Sequence, residues 1–150
     1  QAEAMFAPTL QQVLAASGAG AQAFTVRPNA NVREAAQLMS GARRAVCVVD
    51  EEGIPTGILT SRDVLFRVVA AGLSADTTNV TSVMTASPDA TGSDATILET
   101  LHQMHDHRYQ HMPVVDAAGR LVGIVDALQL AYHVLGDEHA AGTDGGGGFW

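Results

Sequence analysis

The chain repeats itself. Val48-Val49-Asp50-Glu51-Glu52-Gly53-Ile54-Pro55-Thr56-Gly57-Ile58-Leu59 returns as Val114-Val115-Asp116-Ala117-Ala118-Gly119-Arg120-Leu121-Val122-Gly123-Ile124-Val125. One fixed offset carries Asp50 onto Asp116, Gly53 onto Gly119 and Gly57 onto Gly123. Upstream, Val32-Arg33-Glu34-Ala35-Ala36-Gln37-Leu38-Met39 matches Ile97-Leu98-Glu99-Thr100-Leu101-His102-Gln103-Met104 at an offset one residue shorter, so the second copy carries an extra residue between helix and strand. Further up, Thr9-Leu10-Gln11-Gln12-Val13-Leu14 resembles Asn79-Val80-Thr81-Ser82-Val83-Met84. A unit of about 60 residues buries only about 60% of its unfolded surface, so the two copies are expected to share a core and fold as one body.

Periodicity supplies the elements of each copy. Val32, Ala35, Ala36 and Met39 keep the i, i+3, i+4, i+7 spacing of a helix with one buried face. The run Ala45-Val46-Cys47-Val48-Val49 is short and β-branched, and Asp50-Glu51-Glu52-Gly53 supplies turn chemistry before Thr56-Gly57-Ile58-Leu59, which predicts a hairpin. Val64, Leu65, Val68 and Val69 then resume helical spacing up to Gly72, and Leu128, Ala131, Val134 and Leu135 do so up to Gly136, with each glycine expected as a left-handed cap. Each copy therefore reads strand, helix, strand, strand, helix, an α/β (α+β) unit. Ala15 to Ala21 reads as a small-residue loop, Ser87 to Asp94 as a polar connection, and the stretch beyond Gly136, with its Gly145 to Gly148 run, as a flexible linker.

Charge narrows the function. Sixteen acids face eight bases, all of them Arg and scattered from Arg27 to Arg120, so no positive stripe is available for a nucleic-acid backbone or an anionic bilayer. No apolar run approaches the ~18 residues of a spanning helix. Only 16% of residues are charged against 47% apolar, so a sizeable core with a sparsely charged surface is expected. Cys47 is the only cysteine, inside an apolar run, which excludes a disulfide within the chain and fits a reducing, intracellular compartment.

The element order, the Val-Val-Asp-x-x-Gly-x-x-x-Gly-Ile hairpin, Val83-Met84-Thr85 before the second copy and Thr60-x-x-Asp63 at the last helix of the first resemble a tandem CBS domain pair, a Bateman module. The resemblance covers about residues 5 to 136. Met104-His105-Asp106, Tyr109, Pro113-Val114-Val115-Asp116 and Gly123-Ile124-Val125-Asp126-Ala127-Leu128-Gln129-Leu130-Ala131-Tyr132 further resemble the second pair of plant, algal and fungal proteins with two CBS pairs and a PB1 domain. The Gly-rich tail ending Phe149-Trp150 is similar to the start of their linker. This implies two motifs packed with pseudo-twofold symmetry: an N-terminal segment with a short helix over 1–23, motif 1 over 24–73, a linker with a short helix over 74–89, motif 2 over 90–136 and a tail over 137–150. It also implies a homodimer formed through helix faces, a second CBS pair upstream and an interaction domain downstream.

A strand ending at Leu59 hands over to a helix whose first N–H groups are expected to be unpaired and partly positive, a place for an anion. There Thr60 would donate its hydroxyl to a phosphate, Arg62 would add a cation, and Asp63 would accept from both ribose hydroxyls. The resemblance adds Thr25, Val26, Val46 and Cys47 as walls for the base. It makes the module a non-enzymatic sensor of an adenosyl ligand such as AMP, ADP, ATP or S-adenosylmethionine. Thr60-x-x-Asp63 is equally a capping box. Asp126-x-x-Gln129 caps the second copy as well, but lacks the ribose carboxylate and puts a negative side chain where phosphate would arrive.

Two other readings stand beside the sensor: a ligand-free dimerisation and scaffold module, and metal binding by His102, His105, His107 and His111. Against the metal stand Arg108, which would repel a cation among the histidines, and the placing of His107 to His111 in the loop before the second hairpin. His111 is placed to border the cleft and lend it pH sensitivity. Arg43 and Arg44 are either a solvated corner or a phosphate-facing pair. Asp50-Glu51-Glu52 is a turn, Met84, Met104 and Met112 are core fillers, and no nucleophile has a base beside it.

Overall fold

A computed structural model describes residues 8–39 and 44–136. In chain order it contains α1 (Leu10–Ser17), a 3₁₀ turn (Ala21–Phe24), β1 (Thr25–Val26), α2 (Val32–Leu38), β2 (Ala45–Val49) and β3 (Pro55–Thr60). Next comes α3, one α turn (Ser61–Asp63) running on as a π-helix (Val64–Val69). A second 3₁₀ turn (Val80–Ser82) leads to β4 (Thr85–Ala86), then β5 (Thr91–Gly92), α4 (Ile97–His107), β6 (His111–Val115), β7 (Leu121–Asp126) and α5 (Ala127–Leu135). The mixed α/β class is as expected, and each copy is strand, helix, strand, strand, helix.

The copies agree in their three-stranded cores and hairpin turns, and the first sheet adds β4, antiparallel to β3. β1 runs parallel to β2 and β5 to β6; β2 pairs antiparallel with β3 and β6 with β7, with a register shift at Val48/Val49 and again at Val114/Val115. Asp50 Oδ1 accepts from the N–H groups of Glu52 and Ile54, and Asp116 Oδ1 from those of Ala118 and Arg120. Gly53 and Gly119 close these turns at φ +85° and +83°, where a side chain would be strained. Asn31 caps α2 and Thr96 caps α4, and the buried stripes Val32, Ala35, Met39 and Ile97, Thr100, Met104 face their own sheets.

The segments that precede the motifs change places. Leu10, Val13 and Leu14 of α1 lie in the core of the second motif with Ile97, Met104, Met112, Val114, Val125 and Leu130. Val80, Val83 and the partly buried Met84 lie in the core of the first with Val26, Val32, Val46, Val48, Leu59 and Val68. Matching hydrogen bonds tie both in: Leu10 N–H to Ala95 C=O at 2.9 Å and Val80 N–H to Ala30 C=O at 3.0 Å. Each segment needs a hairpin glycine to receive it. A Cβ at Gly57 would overlap Met84 Sδ, and one at Gly123 would lie 2.8 Å from Leu14 Cδ2.

A third cluster joins the sheets face to face: Ala45, Cys47 and Val49 of β2 against Leu121 and Ile124 of β7, with Phe24 and Ile58 packed alongside. The hairpin tips also engage each other. Leu121 N–H donates to Gly53 C=O at 2.9 Å, the Arg120 side chain would meet a Cβ on Gly53 at 3.7 Å, and Ile54 Cδ1 would meet one on Gly119 at 3.4 Å.

Several local expectations are corrected. Ala15 to Ser17 form the last turn of α1, which ends at Gly18 in the left-handed region; the Thr9 capping box stabilises enough helix to draw these alanines in. α3 winds with i→i+5 bonds, Ala70 N–H to Leu65 C=O and Leu73 N–H to Val68 C=O. That wider turn leaves Val64 and Val68 toward the core and turns Leu65 and Val69 outward. In α5 the core side is Leu130, while Leu128, Val134 and Leu135 are exposed. Gly72 has the expected left-handed φ; Gly136 also has a positive φ, 124°, but with ψ 141° it is not the left-handed helical conformation expected of a cap. His107 ends α4 and His111 opens β6, so neither belongs to a loop. The expectations for Arg43 and for 137–150 concern positions outside the described residues.

Gly57→Ala is expected to lower the unfolding free energy by about 1–3 kcal/mol through overpacking against Met84. In a Met84→Ala background the same change should cost measurably less, a non-additivity readable from urea midpoints at constant m.

Candidate functional site

Both helix mouths are closed by their own caps. At the first, Asp63 Oδ2 accepts from Thr60 N–H at 2.9 Å and from Thr60 Oγ1 at 3.0 Å, while Asp63 N–H donates to Thr60 Oγ1 at 3.2 Å. At the second, Gln129 N–H donates to Asp126 Oδ1 at 2.7 Å and Asp126 N–H to Gln129 Oε1 at 3.3 Å. The leading N–H groups are not the unpaired donors expected of them. Ser61 N–H donates to Arg44 C=O at 2.9 Å and Ala127 N–H to Gln110 C=O at 3.0 Å, because each hairpin brings the residue before its first strand under the start of the next helix.

The seven residues singled out from the sequence fall into three groups. Thr60 and Asp63 share the cap, and Arg62 is exposed with its guanidinium 5.0 Å over the Phe66 ring. Thr25 and Cys47 are register partners in the parallel ladder, so their side chains share the face turned toward the second motif. Val26 and Val46 alternate to the opposite face and lie in the helix-side core, so of these four residues only Thr25 and Cys47 turn their side chains toward the second motif. Burial pushes the Cys47 thiol up to about 12, which removes it as a nucleophile.

A cavity of about 730 Å³ opens between the motifs, at the end of the sheets away from the hairpin tips. The first motif lines it with Phe24, Arg44, Ala45 and Ser61; the second with His111, Ile124, Asp126 and Gln129, and with Leu128 and Tyr132 of α5. None of the seven sequence-derived residues lines it. His111 and Arg44 do, as their cleft-facing readings expected. Phe24, Ser61 and Gln129 were missed as lining residues, although strand pairing held a signal: Ala45 pairs with Thr60 and His111 with Asp126, so the residues around both pairs meet at one end.

His111 is half-buried here, and its imidazole is held below its ordinary value. Loss of water is the main cause, opposed by the Asp126 carboxylate and reinforced by Arg44. Among the described residues no three His, Cys, Asp or Glu side chains converge to hold a metal ion; His107 instead stacks on Tyr109 at 5.3 Å. No helix among them is long and apolar enough to cross a membrane.

Two copies of one motif, exchanging their leading segments and enclosing a cleft, define a tandem module. The chain belongs to the CBS domain family, whose model matches it twice, over residues 21–70 and 80–136. The Arabidopsis thaliana CBS domain-containing protein CBSCBSPB3 is 37% identical over 133 residues, which are 89% of this chain and 23% of that protein, so the chain spans about a quarter of such relatives. Among solved structures, a protein with CBS domains from Burkholderia ambifaria superposes with a TM-score of 0.75 at 32% identity, covering 87% of this chain and 96% of that one. A CBS domain protein from Pyrobaculum aerophilum, complexed with AMP, shares the fold at a TM-score of 0.66 and 22% identity over 73% of this chain and 83% of its own.

The depressed His111 pKa has a signed consequence. The fold prefers the neutral ring, so its contribution to stability is complete above the unfolded value of about 6.5 and is lost as pH falls below it. Between pH 7.5 and 5.5 the Tm of the wild type should fall more steeply than that of His111→Gln, as followed by circular dichroism.

Proposed function

We infer that this CBS pair is a non-catalytic regulatory module that binds an adenosyl ligand, such as AMP, ADP, ATP or S-adenosylmethionine, in the cleft between its motifs. The observation that carries this reading is the inter-motif cavity. Its volume lies in the range of small-molecule sites, and its make-up is that of one: apolar walls from Phe24, Ala45, Ile124 and Leu128 with a few convergent polar groups. The Asp126 carboxylate is an acceptor for ribose hydroxyls, Arg44 is a cation for an anionic tail, and Ser61 is a hydroxyl donor. AMP on the Pyrobaculum protein supports the ligand class at the level of the fold.

A second residue set serves the same reading from the first mouth: Thr60, Arg62 and Asp63 for sugar and phosphate, with Thr25, Val26, Val46 and Cys47 about the base. At each mouth a capping box engages the carboxylate, Asp63 through Oδ2 and Asp126 through Oδ1, so a ligand must use the other oxygen or open the cap; the open volume favours the Asp126 side. The motifs of this reading run 24–73 and 90–136, within a longer protein that carries a further CBS pair and a PB1 domain. Ligand regulates such a module only by favouring one of its arrangements over another.

Titration by calorimetry and thermal shift with the four ligands decides between the sets. A ligand at a hundred times its Kd should stabilise the wild type by about 2.7 kcal/mol. Loss of that shift in Asp126→Ala but not in Asp63→Ala assigns the cavity mouth, and the reverse pattern assigns the first mouth. No shift with any ligand in the wild type leaves the scaffold reading.

Exposed helix faces favour self-association whether or not ligand binds. Phe66 and Val69 of α3 are 54% and 64% exposed and Leu135 of α5 is 74% exposed, apolar surface on the outer side of the module that a second copy would cover. Light scattering should give a dimer mass for the wild type and a monomer mass for Phe66→Glu combined with Leu135→Glu.

A further inference from the structure

The two exchanged segments are not equally able to stand alone. α1 has eight residues and its own capping box. The segment on the first motif is a single 3₁₀ turn of three residues, Val80–Ser82, followed by the two-residue strand β4. Such a short piece gains little from its own backbone bonds. Arg67, on the π-wound part of α3, reaches across to it: Nη1 donates to Val83 C=O at 3.1 Å and lies 3.4 Å from Met84 C=O. The Nε edge of the same guanidinium stands 3.6 Å from Asp63 Oδ1, the carboxylate oxygen that the Thr60 cap does not use. The fork of an arginine serves two directions at once, which an ammonium does not. In the second copy the counterparts of Asp63 and Arg67 are Gln129 and His133, an amide and an imidazole, where α1 supplies its own rigidity.

We propose that Arg67 is a positioning residue that straps the segment from Val80 to Ala86 onto the first motif, and that Asp63 sets its grip by holding the guanidinium in place. The segment continues through Ser87 to Ala90 into β5, so this strap links the first helix mouth to the second motif, and any group that draws the Asp63 carboxylate away loosens the link. The proposal does not depend on the ligand reading.

Amide hydrogen exchange on the whole chain, without ligand, tests it. The reporters are Met84 N–H, bonded to Val80 C=O, and Ser87 N–H, bonded to Thr56 C=O. Arg67→Met should speed their exchange on the order of tenfold, as loss of a charged hydrogen bond predicts, and leave Gly119 N–H in the other hairpin unchanged. Arg67→Lys, which keeps charge and stem, should speed them too, and it carries the test if Arg67→Met does not fold. Asp63→Asn should speed them in the wild type but add nothing in Arg67→Met. Unchanged reporters in Arg67→Lys, an equal acceleration at Gly119, or full additivity of Asp63→Asn with Arg67→Met each overturn the proposal. An absence of nucleotide binding affects none of these readings.

Discussion

The molecule depends on two small absences of side chain. Gly57 and Gly123 leave seats on β3 and β7 into which Met84 and Leu14 settle, and through them each motif holds the segment that leads into the other. Neither core is closed by its own stretch of sequence: the second needs α1, which lies ahead of the first motif, and the first needs Val80 and Val83, which lie ahead of the second. Two units each too small to bury enough surface thereby become one cooperative body. The inter-sheet cluster around Cys47 and the bond between the hairpin tips add two further joints between the same two units.

Most of the architecture was legible because duplication doubles every local signal. A turn read once from Asp50 to Gly53 is a guess about a loop, but read again from Asp116 to Gly119 it fixes two hairpins with the same side-chain bonds. The helix face was read correctly in α2, where Val32, Ala35 and Met39 are buried and the other side is wet. Faces were misread in α3 and α5, where apolar residues occur on both sides and periodicity cannot say which side meets the sheet. The π winding of α3 leaves no trace in sequence because i→i+4 and i→i+5 bonding use the same backbone groups. The strand β4 is two residues of linker whose pairing depends on where Met84 is seated.

The candidate site was only partly legible, for a different reason. Sequence motifs mark the start of a helix, and a start that caps itself satisfies its own donors; Thr60 with Asp63 and Asp126 with Gln129 do this equally well. An opening between motifs is a property of their mutual placement. Phe24 and Ser61 are brought opposite His111 and Asp126 by the placement of the motifs, and only the pairing of Ala45 with Thr60 and of His111 with Asp126 hints at it.

The reciprocal grip of the hairpin tips has a mechanical corollary. Gly53 and Leu121 are bonded at one end of the sheets, while the cavity lies at the other, some five residues or about 15 Å of strand away. With one end latched, any opening of the halves would be widest at the cavity end, as in a pair of tweezers, rather than a sliding apart of plates. A force applied in the cavity would therefore act with the longest lever arm about that joint and exert the largest turning moment on the halves.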